Sequence, residues 1–245
     1  MNMERVPAIH LKFNHLEKEY EPIRVCVEGY FSGEGSKFQN EFNVLKENAN
    51  NIEYGFPLLH EDNWKENNIL ANNGCLISEC NNKNKYSLGY RNCTGAVIVG
   101  TDKNTGENIS LFTHQNRLKD LPKYHEARDL FLKNLEQRIR ELVSKSKPGS
   151  IDSLLWGGEP EGGDISDYKY MIKIISEKIS SELGFEPVVA TGPTTKGLST
   201  DVYFDNKNRR LYIVQPKDKN SPTNEDFMAS DIDSHLDKYN PKYNK

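Results

Sequence analysis

The 245-residue chain has no uninterrupted run of the roughly 18 apolar residues that a membrane-spanning helix needs. Its opening residues, MNMERVPAIHLKFNHLEKEY, lack the basic-then-apolar order of a secretory signal. The expectation is a protein made without a cleaved export signal and not inserted into a membrane, working in the cytoplasm or delivered into a host cell by another route. Cysteine is scarce. The four present, Cys26, Cys75, Cys80 and Cys93, are too few for a disulfide scaffold at this length, and no CxxC or clustered Cys/His spacing is that of a zinc site. Free thiols in a reducing compartment are expected, with no metal and no other cofactor. A basic excess is missing too. The 32 Lys and Arg against 36 Asp and Glu leave a formal charge of −4, unlike the clustered positive surface that binds nucleic acid, which is excluded as a partner on that ground.

What is present is enough chain for one large domain, or a medium domain with an appendage. Residues 1–67 are rich in Asn, Glu and Lys, with short apolar bursts such as IRVCVEGYF and YGFPLL, and read as an accessory segment carrying one or two strands. Residues 217–245 are polar, contain two prolines and read as a loose tail. Periodicity is stronger over 68–216. TGAVIVG and NISLFTH are β-rich runs separated by the turn-forming TDKNTGE, which predicts a hairpin. Leu130, Phe131, Leu135, Ile139 and Leu142 have the spacing of an amphipathic helix. IDSLLWGG reads as a strand running into a glycine pair, and SDYKYMIKIISEKISSELGF as a second helix ended at Gly184. Three more strands follow in EPVVATGP, STDVYFD and RLYIVQP, the last two joined by the hairpin-like DNKNR. The order β-β-α-β-α-β-β-β predicts an α/β (α+β) fold of mixed β-sheet layers flanked by two or more helices, without internal repeats.

The predicted hairpin carries Cys93 at the head of one strand and His114 at the end of the other. A two-residue turn at Lys103 and Asn104 sets these side chains opposite each other on one face, with Cβ atoms roughly 5 Å apart. A turn one residue longer sends them to opposite faces, unless a bulge re-aims one of them. A thiol beside an imidazole is the arrangement of a nucleophile and its base. A cysteine in an apolar strand is also, more commonly, plain core. The polar YRN before Cys93 and QNRLKD after His114 place both residues at an edge where a substrate could enter.

SLGYRNCTGAVIV resembles the segment around the reactive cysteine of the chemoreceptor glutamine deamidases, the CheD family. Cys93 stands in the nucleophile's place, and Ser87, six residues earlier, in that of a hydroxyl residue. ISLFTHQNR is similar to the family's strand that ends in the catalytic histidine, which puts that role on His114. SLLWGGEPEG resembles its apolar strand followed by Gly-Gly, at Trp156, Gly157 and Gly158. SELGFEPVVATGPTTKGLSTDVYFDNKNRRLYIV parallels its closing helix end, strand, glycine-containing loop and hairpin. The likeness runs collinearly over roughly residues 70–216. It departs at Arg91-Asn92, where the family usually has Gly-Ser, and at Ser199-Thr200-Asp201, where a basic residue is frequent. Residues 1–67 and the tail have no counterpart. Deamidating toxins of the cytotoxic necrotizing factor type share this cysteine–histidine fold, so an endogenous receptor-like target and a host protein are both open.

The resemblance implies a protein-glutamine deamidase. Cys93, as a thiolate paired with an imidazolium, attacks the carboxamide carbonyl; His114 passes a proton to the leaving ammonia; water hydrolyses the thioester. Ser87 orients the imidazole or the substrate amide. Asn92, the backbone around Cys93 and Thr94, and Gly157 and Gly158 are expected to bind substrate or the oxyanion, with Trp156 as a wall. The expected partner is a protein with an exposed glutamine, docked across Ser87–Cys93, His114 and the WGGEPEGGD loop. There Arg91 and Arg117 stand on one side and Glu159, Glu161 and Asp164 on the other, selecting by charge. The oligomeric state is left open. Further readings are a transglutaminase-like Cys-His acyl transferase, a binding module that keeps the fold without turnover, and an unrelated fold in which the Cys and His coincide by chance.

Overall fold

A computed structural model describes residues 23–30, 49–51, 70–72, 75–90, 93–115, 125–157, 165–191, 200–216 and 226–228. The strands are β1 (Arg24–Tyr30), β2 (Ala49–Asn51), β3 (Leu70–Asn72), β4 (Cys75–Ile77), β5 (Asn84–Tyr90), β6 (Thr94–Thr101), β7 (Asn108–Gln115), β8 (Asp152–Gly157), β9 (Val188–Thr191), β10 (Thr200–Asp205), β11 (Arg210–Pro216) and β12 (Asp226–Met228). Among the described residues two helices, α1 (His125–Lys145) and α2 (Ile165–Leu183), lie on either side of β8 in the chain. One sheet has the order β12-β1-β11-β10-β5-β2 and the other β3-β4-β7-β6-β8-β9.

The second sheet is the middle layer. β6 and β7 are buried almost throughout, which is why TGAVIVG reads as a continuous apolar run instead of an alternating one. β7 and β8 both run antiparallel to β6, so α1 links parallel strands, and α2 links β8 to the parallel β9. Both crossovers step the same way along the sheet. Right-handed connections of that kind lay both helices on one face. Phe131, Leu135, Ile139 and Leu142 of α1 and Met171, Ile172, Ile175 and Ile179 of α2 accordingly pack on Ile77, Ala96, Ile98, Leu111, Leu155 and Val189. Leu130 does not join this stripe and is 45 % exposed. Gly184 closes α2 with φ 75°, where an L side chain is strained.

The opposite face of the same sheet meets the other sheet. Leu76, Val97, Val99, Phe112, Leu154, Trp156 and Val188 interlock with Ile23, Tyr90, Val202, Phe204, Leu211 and Ile213. The architecture is α/β (α+β), as expected, in three layers: helices, sheet, sheet. The two helices cover only one side, because the side where further helices would sit is occupied by a second sheet. At one end a polar clasp joins the sheets. Arg209, at φ 50°, donates from Nε to Asn108 Oδ1 (3.0 Å) and from Nη2 to Thr101 Oγ1 (2.9 Å). Strand ends at the other end carry Cys93, His114 and Gly157.

Backbone pairing crosses the expected boundaries at residues 67 and 217. β1 pairs in parallel with β11 from Arg24↔Arg210 to Tyr30↔Pro216, β2 pairs with β5, and β12 pairs with β1. Ile23 is fully buried between the sheets, and its N–H donates to Asp152 Oδ2 at 2.8 Å. RVCVEGY is therefore an interior strand. Its partner lies far downstream in the chain, a pairing that composition cannot reveal. YGFPLL lies outside the described residues.

Candidate functional site

Cys93 directly precedes β6, and His114 is the penultimate residue of β7. The turn between these strands is longer than two residues. Asp102 Oδ1 accepts the N–H groups of Asn104 (2.7 Å) and Thr105 (3.0 Å), and Gly106 takes φ 76°. The register Thr94↔Gln115 and Val97↔Phe112 therefore sets Gly95, not Cys93, level with His114. The shift is by an even number of residues, so the two side chains keep a common face, as diagonal neighbours whose Cα atoms lie about 7–8 Å apart in such ladders. That face looks toward the sheet that holds β5, β10 and β11, and Cys93 packs there with Tyr90, Val97 and Phe112.

Both residues are more enclosed than the sequence predicts. Cys93 is 6 % exposed and His114 0 %, because β5 and β10 cover them from across the interlayer. The imidazole is held on two sides. Ser87 Oγ lies 2.7 Å from Nδ1, and the Tyr90 ring stacks on it at 3.8 Å and 15°. Ser87 and Tyr90 are three apart on β5, a spacing that sends side chains to opposite faces of a regular strand. Here the pairing slips by one residue between Val202↔Ser87 and Thr200↔Tyr90. The resulting bulge turns both inward.

At the level of His114 the β6–β7 ladder opens. Ala96 donates its N–H to Thr113 Oγ1 (2.9 Å), and the Thr113 carbonyl accepts the Tyr90 hydroxyl (3.0 Å). Trp156 lies opposite Gly95 on β8, edge-on to Tyr90 (5.7 Å, 66°) and against Phe112 (4.9 Å). A Cβ on Gly95 would fall 2.3 Å from Trp156 Cζ2 and 2.8 Å from the Thr113 carbonyl oxygen. Gly95→Ala is therefore expected to lower stability by about 3 kcal/mol in denaturant unfolding, since neither ring nor backbone can retreat. An unchanged midpoint would show that the indole does not occupy that place.

Burial pushes His114 down to about 3, so the imidazole is neutral at ordinary pH. The imidazolium expected of the pair is thus, at rest, a neutral base. Burial likewise holds the Tyr90 phenol well above its usual range, leaving it a neutral donor. It pushes Cys80, whose sulfur donates to the Arg138 carbonyl (3.3 Å), up to about 12. Cys75 faces the helices. Among the described thiols, Cys93 alone shares a face with a histidine. The Thr94 hydroxyl donates to Gln115 Oε1 (3.2 Å) on the helix side of the sheet, and Gly157 pairs with Thr94, so at these positions only backbone borders the candidate site. Asn92 and Gly158, like Arg91, Arg117, Glu159, Glu161 and Asp164, lie outside the described residues.

Tyr90 and Gly95 have no assigned role in the sequence reading, although both stand in the stretch that carries Cys93. The trace of Tyr90's role is Gly89, a residue type that marks bulges inside strands. Among the described residues no helix is long and apolar enough to cross a membrane, and no group of three or more His, Cys, Asp or Glu is placed to hold a metal ion. Compared with models of known protein families and with curated proteins, the sequence matches none.

Proposed function

We propose that this chain is a cysteine-dependent amidohydrolase that converts a glutamine side chain of another protein to glutamate. The observation that carries this reading is the 2.7 Å contact of Ser87 Oγ with His114 Nδ1, on the face shared with Cys93. The likeness of SLGYRNC and ISLFTH to the CheD family points to the same chemistry. With Nδ1–H donating to Ser87, Nε2 is the nitrogen that takes the Cys93 proton as sulfur attacks the amide carbon. The imidazolium so formed is disfavoured by burial and gives its proton to the departing nitrogen, leaving ammonia and a thioester. Water then attacks, again losing a proton to Nε2, and the thiol returns. The balance is carboxamide plus water to carboxylate plus ammonium. Walls of Tyr90, Phe112 and Trp156 favour a flat, neutral carboxamide over a charged side chain. The target is an exposed glutamine able to reach between the sheets at the ends of β6 and β7, on a receptor-like protein of the same cell or on a host protein.

The test uses whole-cell protein extracts in water enriched in heavy oxygen. Target glutamines should become glutamates carrying one heavy oxygen atom, with ammonia released in equal amount. Incorporation of an added primary amine without labelled glutamate would instead make the protein an acyl transferase. Ser87→Ala should lower kcat by roughly 10- to 100-fold, the worth of one hydrogen bond to a group that becomes charged during turnover. Ser87→Thr should restore most of the loss, and an Ala variant as fast as the parent would remove Ser87 from the reaction.

A further inference from the structure

Trp156 is 1 % exposed, and among the described residues its indole N–H has no hydrogen-bond partner. Buried donors almost always find one, and an orphan beside a candidate site is a donor free to hold a ligand group. Its location is specific. Across the sheet, His114, Gly95 and Trp156 stand side by side on β7, β6 and β8, and Cys93 is the next residue on that face of β6. The indole lies over Gly95, and Cε2, the carbon bonded to Nε1, would be 2.4 Å from a Cβ there. The indole, the thiol and the imidazole thus stand on one face of the sheet, next to one residue that has no side chain.

We infer that the Trp156 Nε1–H receives the carbonyl oxygen of the substrate carboxamide and stabilises the oxyanion formed from it. This rests on the deamidase reading. As the Cys93 sulfur–carbon bond forms, the carbonyl π pair moves onto oxygen, the thiol proton passes to His114 Nε2, and the indole N–H donates to the oxygen that has gained charge. An indole suits this position because it is a donor only and stays neutral beside a buried, uncharged histidine.

The inference can be tested without turnover. In the full chain with Cys93→Ala and nitrogen-15 labelling, the two indole N–H resonances are assigned with Trp64→Phe. Titration with propionamide should move the Trp156 indole proton downfield to saturation, whereas propylammonium, which has no acceptor, should not move it. A resonance that stays put, or that moves equally with both, overturns the assignment. Trp156→Phe keeps the ring wall and loses the donor, so kcat in the labelled-glutamate reaction should fall about 100-fold with little change in KM. An unchanged kcat also overturns it. If no protein yields labelled glutamate while propionamide still shifts the indole, the deamidase reading fails and the carboxamide subsite stands.

Discussion

Cys93→Ala is expected to abolish glutamate formation, and His114→Ala to lower it at least about 1,000-fold, as removal of one member of a nucleophile–base unit does elsewhere. The pH dependence should be unusual. Burial holds His114 near 3, so the base stays unprotonated far below its ordinary 6.5, and the acid limb of kcat should lie near 3 wherever the fold survives. The same burial costs stability in acid. Between about 6.5 and 3 the unfolded chain binds a proton at this histidine that the folded chain refuses. Stability is therefore fully present above 6.5 and falls with pH through that window, by up to roughly 5 kcal/mol. Denaturant midpoints taken at several pH values should show this slope in the parent and a flatter one in His114→Gln. Equal slopes, or an activity limb near 6.5, would mean that the imidazole is solvated and titrates in its ordinary range.

A chain beginning at residue 67 is expected to lose its single cooperative unfolding transition. It would lack β1, leaving β11 without its parallel partner and β12 with nothing to pair against. It would also lose Ile23 from the interlayer core, a side chain whose burial contributes about 2–3 kcal/mol. Asp152, itself 2 % exposed, would lose the Ile23 N–H as a donor, and a buried carboxylate deprived of a hydrogen bond is costly. Against a total of roughly 5–15 kcal/mol for a domain, these losses are enough to empty the native state. Calorimetry and near-ultraviolet circular dichroism would decide. A sharp transition retained in the shortened chain would show β1 to be dispensable, and Ile23→Ala in the full chain, expected to cost 2–4 kcal/mol, measures the core contribution separately.

Local signals were legible wherever the deciding contacts are local. α1 and α2 follow from apolar residues three and four apart, α2 ends where Gly184 permits a positive φ, and β10 and β11 join through the hairpin expected at DNKNR. Each depends on neighbours within a few residues. The β6–β7 hairpin was legible in the same way, but its register was not, because the Asp102 side chain and Gly106 build a longer turn. Cys93 and His114 could be singled out by type and spacing, and Ser87 by the family resemblance. That Ser87 and Tyr90 both reach the imidazole depends on a bulge, which exists only relative to β10, the strand it faces. β1 is the extreme case: its place is set by pairing with β11, whose seven partners lie at the other end of the chain. Residue types and their local spacing thus determined which atoms the chain offers for chemistry. The protonation of those atoms was decided by the covering sheet, since only close packing of distant segments removes the water that would otherwise keep His114 titrating near 6.5.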